Sequence, residues 1–284
     1  MKETINFGYL PEEYSGEENA GIVIIPVAYD GTSTWMKGAD QGPTAIIEAS
    51  ANMELYDIET DSEVYKRGIF TEKAIAGEAT TREMIEAVNE AVQYYLEKEK
   101  FTVVIGGEHS VSIGSIRAHA ENYKNLTVLQ LDAHADLRDQ YNGSKYNHAC
   151  VMARVRELCP IVQVGVRSMD YSEKELMDKS GVFFAEHIYG NTDWVKKVIS
   201  KLSDNVYITI DLDVLDPSIM PSTGTPEPGG LLWYDVLTLL KGVCDKKNVV
   251  GFDVVELCPD DNDKASDFLA AKLIYKLLSY KFRD

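Results

Sequence analysis

Two short stretches concentrate the groups that could do chemistry: Asp132-Ala133-His134-Ala135-Asp136 and Asp211-Leu212-Asp213. In each, the polar residues alternate, so a continuing strand would turn Asp132, His134 and Asp136 to one side, and Asp211 with Asp213 likewise. Carboxylates and imidazoles converging with no basic residue among them repel or desolvate one another unless a cation sits between them. The plainer alternative is a polar loop whose Asp side chains bond their own backbone. His109, at the end of Gly106-Gly107-Glu108-His109, adds a second imidazole. The set then comprises two imidazoles (His109, His134) and four carboxylates (Asp132, Asp136, Asp211, Asp213).

That is too many ligands for one tetrahedral zinc, and no thiolate is among them. A mixed oxygen and nitrogen set suits Mn²⁺ better. Two divalent ions would offset the carboxylates, with bridging Asp residues holding them about 3.5 Å apart, and would lower the pKa of a bound water to give hydroxide. Without metal, the clustered carboxylates should show strongly raised pKa values. Glu256, closing another apolar run, could hold a cationic guanidinium through bidentate pairing or form a structural ion pair. His148, in Tyr146-Asn147-His148-Ala149-Cys150, is a candidate proton shuttle, with a helix cap or core residue as the alternative. Cys150 has no identifiable orienting partner for nucleophilic chemistry. His119 and His187 read as structural.

Apolar strands must deliver these residues. Residues 21–27, 101–105, 126–130, 160–166, 206–210 and 248–255 are short apolar runs, as in a parallel sheet buried on both faces. Between them lie helical patterns over 44–56, 80–98, 110–122, 231–243 and 265–280, the second opening with a Thr80/Glu83 capping box. Alternating strands and helices imply parallel pairing with helices on both faces. Four strands ending in His109, Asp132, Asp211 and Glu256 place these groups at the edge where open α/β sheets bind ligands. The loop over 29–34 lacks the endings of nucleotide cradles. Residues 1–20 read as a polar surface arm on a single domain spanning 1–284, with no internal repeat or linker.

The net charge of −18 opposes nucleic-acid binding and suits a cationic substrate. No apolar run is long enough to span a membrane, and no apolar signal core opens the chain, so a cytoplasmic protein is expected. The four cysteines lack CxxC spacing and are expected to be reduced.

Gly106-Gly107-Glu108-His109-Ser110, Asp132-Ala133-His134-Ala135-Asp136 and Asp211-Leu212-Asp213-Val214-Leu215-Asp216-Pro217 resemble the three signatures of the ureohydrolase (arginase/agmatinase) family. Gly224-Thr225-Pro226, Gly229-Gly230-Leu231 and Asp253-Val254-Val255-Glu256 resemble its later motifs, and Tyr29-Asp30-Gly31-Thr32-Ser33 with Gly42-Pro43-Thr44 its N-terminal one. The resemblance implies a three-layer α/β/α sandwich and a binuclear Mn²⁺ centre. It implies His109, Asp132, Asp136 and Asp211 on one ion, and Asp132, His134, Asp211 and Asp213 on the other. It also implies that Asp136 orients the hydroxide, Glu256 clamps the guanidinium and His148 passes protons to the leaving amine. Arg138 stands where arginases would offer Asn, and the Asn147-His148-Ala149-Cys150 segment is similar to agmatinases. Agmatine is therefore the expected substrate, giving urea and putrescine, with Arg138 and Asn142 of the following loop as substrate-binding candidates. Arginase, hydrolysis of aminopropylagmatine or a guanidino acid, and a catalytically silent metal-binding protein are the alternatives. By resemblance alone a homo-oligomer, trimer or hexamer, is expected.

Overall fold

Runs of β-branched residues give strands that can be buried on both faces, and such strands need a helical layer on each side. The computed structural model describes residues 6–283. Its nine-stranded sheet comprises β1 (Ile22–Ala28), β2 (Ile69–Thr71), β3 (Ile75–Ala76), β4 (Phe101–Gly106), β5 (Leu126–Leu131), β6 (Ile161–Val166), β7 (Val182–Phe184), β8 (Asn205–Asp211) and β9 (Asn248–Val255). Every pairing is parallel, in the order β2-β1-β4-β9-β8-β5-β6-β7, with β3 also beside β1.

Helices of eight or more residues are α1 (Gly42–Ser50), α2 (Thr81–Glu97), α3 (Ser112–Asn122), α4 (Trp194–Lys201), α5 (Trp233–Lys246) and α6 (Ala265–Lys281). Successive strand residues feed opposite cores, as the two-residue period requires. Ile22, Ile24, Val103 and Ile208 pack with residues of α1, α4, α5 and α6, whereas Val23, Ile25, Val104 and Tyr207 pack with those of α2 and α3. The architecture is the expected α/β/α sandwich.

The sheet order brings distant parts of the chain together. Strands β4, β9, β8 and β5 are consecutive neighbours, with Ile105 beside Val254, Asp211 beside Val255 and Leu131 beside Ile210. The residues following β4, β5 and β9, together with the end of β8, therefore emerge side by side at one edge.

Several sequence expectations need correction. The helix expected over 44–56 stops at Ser50, and the chain turns so that Asp57 meets Lys276 at 3.0 Å. Strands β2, β3 and β7 are too short to register as apolar runs. The surface arm is pinned: Phe7 and Leu10 are buried, the Phe7 N–H donates to Thr71 Oγ1 at 2.9 Å, and the Gly8 N–H donates to Ser50 Oγ at 2.8 Å. Residues 1–5 of that arm lie outside the described residues. Among the described residues no helix is long and apolar enough to cross a membrane, and the four cysteines are free.

Candidate metal centre

At that edge the predicted ligands converge. His109 Nδ1 lies 3.1 Å from Asp132 Oδ2, 3.1 Å from Asp136 Oδ2 and 3.4 Å from Asp211 Oδ2. His134 Nδ1 lies 2.8 Å from Asp213 Oδ2 and 3.6 Å from Asp132 Oδ1. Ligand atoms of His109, Asp132 and Asp211 fall within 4.8 Å of one another, as do those of Asp132, His134 and Asp213, so Asp132 belongs to both groups. All six residues are buried except His134, which is about a quarter exposed.

Turns rather than an extended strand place these groups. β5 ends at Leu131, and Asp136 has a positive φ of 53°, so the alternation expected to aim Asp132, His134 and Asp136 together does not operate. Instead, carboxylate oxygens accept backbone N–H groups of the turns: Asp132 Oδ1 from His134 at 2.6 Å, Asp211 Oδ1 from Asp213 at 2.9 Å, and Asp213 Oδ1 from Ala133 at 3.0 Å. Each of these carboxylates then has its other oxygen turned toward an imidazole.

The sequence reading missed the layer beneath. Thr209 Oγ1 donates to Asp253 Oδ1 at 2.6 Å and pairs with His109 Nε2 at 3.0 Å. With the hydroxyl hydrogen on Asp253, His109 Nε2 is the N–H donor, and Nδ1 is the nitrogen that faces the carboxylates. Gln163 donates to Gln130 Oε1 at 2.6 Å, and Gln130 donates to Asp132 Oδ2 at 2.6 Å. Outer partners of this kind fix the tautomer and orientation of metal ligands. Their sequence signal was present: polar Gln130, Gln163, Thr209 and Asp253 interrupt apolar strands.

The donor set fits metal ions. His109 Nδ1 is buried and makes no hydrogen bond despite its three carboxylate neighbours, which is the condition of a ligand atom aimed at a shared cation. The charges of the metal-free cluster are correspondingly strained. Burial and the neighbouring Asp132 charge push Asp136 up to about 7, while burial, Asp213 and Asp132 raise Asp211 well above the carboxylate range. Burial opposes charge on His134, yet Asp213 and Asp132 push it up to about 12. Asp132 departs from the expected rise: burial alone would raise it, but the neighbouring imidazoles of His109 and His134 hold it below its ordinary value.

The cluster floors a cavity of about 220 Å³ lined also by Glu256, His148, Arg138, Tyr141, Trp35 and Met36. Glu256, at a positive φ of 68°, accepts the His109 N–H on Oε1 at 2.7 Å, and burial and Glu108 raise its pKa well above normal. Burial, then the charges of His109 and His134, lower His148 to about 4. Arg138 lies over the Tyr141 ring at 4.5 Å, with Glu173 and Asp170 at 3.8 and 3.9 Å. Asn142 is not brought to the site: it sits exposed at the tip of the Tyr141–Ser144 turn, and Tyr141 takes the cavity wall instead. His119 is structural as expected, buried between Thr102 Oγ1 at 3.2 Å and the Ser115 carbonyl at 2.8 Å.

Comparison with known proteins follows the same lines. The model of the arginase family matches residues 20–279. A Synechocystis sp. protein named N(1)-aminopropylagmatine ureohydrolase is 38% identical, over 95% of this chain and 92% of that protein. The agmatinase of Pyrococcus horikoshii is 31% identical, over 94% of each. The crystal structure of agmatine ureohydrolase of Thermoplasma volcanium superposes with a TM-score of 0.90 at 30% identity, over all of this chain and 96% of that one.

Proposed function

Since the chain belongs to the arginase family and is an amidinohydrolase, we propose that it hydrolyses the guanidinium group of a cationic polyamine to urea and an amine, with two Mn²⁺ as cofactor. The observation that carries this reading is the meeting, in one cavity, of a shared-ligand carboxylate and imidazole cluster with Glu256 and His148. His109, Asp132, Asp136 and Asp211 would hold one ion, and Asp132, His134, Asp211 and Asp213 the other. When bound, such a pair supplies Lewis acidity that brings the pKa of water toward neutrality.

The chain's own residues do the rest. Glu256, with Oε1 fixed by the His109 N–H, offers Oε2 to a guanidinium, where a charge-assisted pair orients the carbon to be attacked. Asp136 holds the attacking water by accepting its hydrogen. His148, neutral at working pH, takes a proton from the attacking water and passes it to the departing nitrogen.

For the substrate, the 38% relatives support N1-aminopropylagmatine, a longer cation than the agmatine expected from sequence. Agmatine retains support from the relatives at 31%. The acidic chain suits either cation. A guanidino acid is a second reading, favoured by Arg138 in the cavity wall with only long contacts to Glu173 and Asp170. Urea release from N1-aminopropylagmatine, agmatine, arginine and a guanidino acid, with and without Mn²⁺, tests the proposal. Mn²⁺-dependent turnover of a guanidino polyamine supports it, and no urea from any of the four would refute it. The cytoplasmic location and homo-oligomer expected from sequence remain part of the proposal, the latter tested by light scattering.

A further inference from the structure

Thr32 does not line the cavity, yet it touches the residue on which proton transfer depends. Its Oγ1 accepts the backbone N–H of His148 at 3.0 Å and lies 3.1 Å from His148 Nδ1. The loop that carries it is fixed on both sides. The Glu108 N–H donates to the Tyr29 carbonyl at 2.9 Å, and the Gly38 N–H donates to Asp30 Oδ2 at 2.8 Å. A Cβ on Gly107 would collide with the Tyr29 carbonyl, so only glycine lets the loop seat this closely.

Thr32 occupies one ring nitrogen of His148 and leaves the other for proton transfer. A hydroxyl has one hydrogen and two lone pairs. One lone pair takes the His148 N–H, so the second lone pair and the hydrogen are left to face Nδ1. For Nε2 to take up a proton, Nδ1 must already carry the ring hydrogen and donate it to Thr32 Oγ1. Nε2 is then the bare nitrogen. The Tyr141 ring, at 88° to the imidazole and 6.1 Å from it, adds a second restraint on the ring plane.

We propose that Thr32 is a positioning residue: by receiving the Nδ1–H, Thr32 holds His148 in the tautomer that presents Nε2 as the relay atom. This rests on the reading that His148 moves the proton. In the step, the oxygen of the attacking water bonds the guanidinium carbon and one of its O–H bonds breaks, the electron pair staying on oxygen; Nε2 takes that proton as its lone pair forms the N–H bond, while Nδ1–H keeps its bond to Thr32. The same Nε2 proton then goes to the departing amine nitrogen as its bond to the guanidinium carbon breaks, and the neutral ring is restored with its original tautomer.

Two measurements test it. In ¹⁵N-labelled protein loaded with diamagnetic Mg²⁺, His148, assigned by its loss in His148→Asn, should show a protonated Nδ1 and a bare Nε2. Thr32→Val, which keeps the shape and removes the hydroxyl, should mix the tautomers. In Mn²⁺-loaded enzyme, Thr32→Val should lower kcat roughly 10- to 100-fold, as loss of an orienting partner does. KM should stay within about twofold, since uniform binding is untouched, and Thr32→Ser should recover most of kcat. A wild-type His148 protonated on Nε2 overturns the proposal whether or not the variants fold. So does a Thr32→Val enzyme with unchanged kcat. If the wild type released no urea from any guanidine, the proposed function would fail while the nitrogen spectrum would still decide the tautomer.

Discussion

Withdrawing divalent ions should cost this protein little at pH 5 and much more at pH 8. In the metal-free cluster Asp136 is pushed up to about 7 against an ordinary value of 3.8. A folded-state pKa above the unfolded one means that the native state holds the extra proton. That contribution to stability is complete below pH 3.8 and is lost as pH rises toward 7. Between pH 5 and pH 7 the loss is about 3 kcal/mol, at 1.36 kcal/mol per unit. His134, pushed up to about 12, acts in the same direction above pH 6.5, because the native imidazole keeps a proton that the unfolded chain has released. Bound cations replace those protons, so the loaded protein escapes the loss, and its own affinity for metal rises with pH. In a chain of this length each kcal/mol moves Tm by roughly 2 °C. Calorimetric melting of chelated and Mn²⁺-loaded protein should therefore show a Tm gap that widens by at least about 6 °C from pH 5 to pH 8. A gap that is constant or narrows over that range would mean that the cluster does not exchange protons for cations.

Other expectations are narrower. Glu256→Gln keeps an oxygen for the His109 N–H but removes the charge facing the guanidinium; kcat/KM should fall roughly 10- to 150-fold, the worth of a charged hydrogen bond of about 1.5–3 kcal/mol. Asp213→Asn should leave the fold intact, since the Ala133 N–H still has an oxygen to bond. It should lower the metal bound per chain, read by elemental analysis, because the His134 Nδ1 contact at 2.8 Å loses its anion. His119, buried and lowered to about 4, is neutral in the native state while the unfolded chain takes a proton below pH 6.5; stability should drop by about 3 kcal/mol as pH falls from 6.5 to 4, and urea titrations of His119→Gln should lose that dependence. Asn142→Ala, at an exposed turn tip outside the cavity, should change kcat/KM by no more than about twofold.

Much of this site was legible because the parallel sheet converts sequence pattern into place. An apolar run ending in a polar group always ends at the same edge, so His109, Asp132, Asp211 and Glu256 could be grouped before any distance was known. Which strands stand beside one another was not legible. The adjacency of β4, β9, β8 and β5 depends on where two late strands insert between two early ones, and no local pattern records that. The same limit explains Asn142 and Tyr141: a one-residue difference at a turn moved one side chain to solvent and the other to the cavity wall. The supporting residues escaped for another reason. Gln130, Gln163 and Thr209 carry no motif of their own, Asp253 stood only at the start of a motif read for Glu256, and the burial of all four beneath the ligands is what gives them meaning.

The backbone at the site explains why alternation was the wrong mechanism for a right grouping. Asp136 and Glu256 both adopt positive φ, at 53° and 68°, a conformation that costs a non-glycine residue about 1–3 kcal/mol. Glycine would relieve the strain, but glycine has no carboxylate, and both positions supply one to the cavity. Surrounding bonds hold each residue in place. The Ala153 N–H donates to the Asp136 carbonyl at 3.1 Å, and the Glu256 N–H donates to the Gly107 carbonyl at 2.8 Å. A strand continuing past Leu131 would have carried the acids outward along the sheet axis, away from His109. Turning the chain sharply at Asp136 instead folds its carboxylate back to 3.1 Å from Nδ1, which closes the ligand set over the end of the sheet. The strain is thus confined to two residues whose side chains the proposed chemistry needs, and the rigid parallel strands beneath them are what make it tolerable.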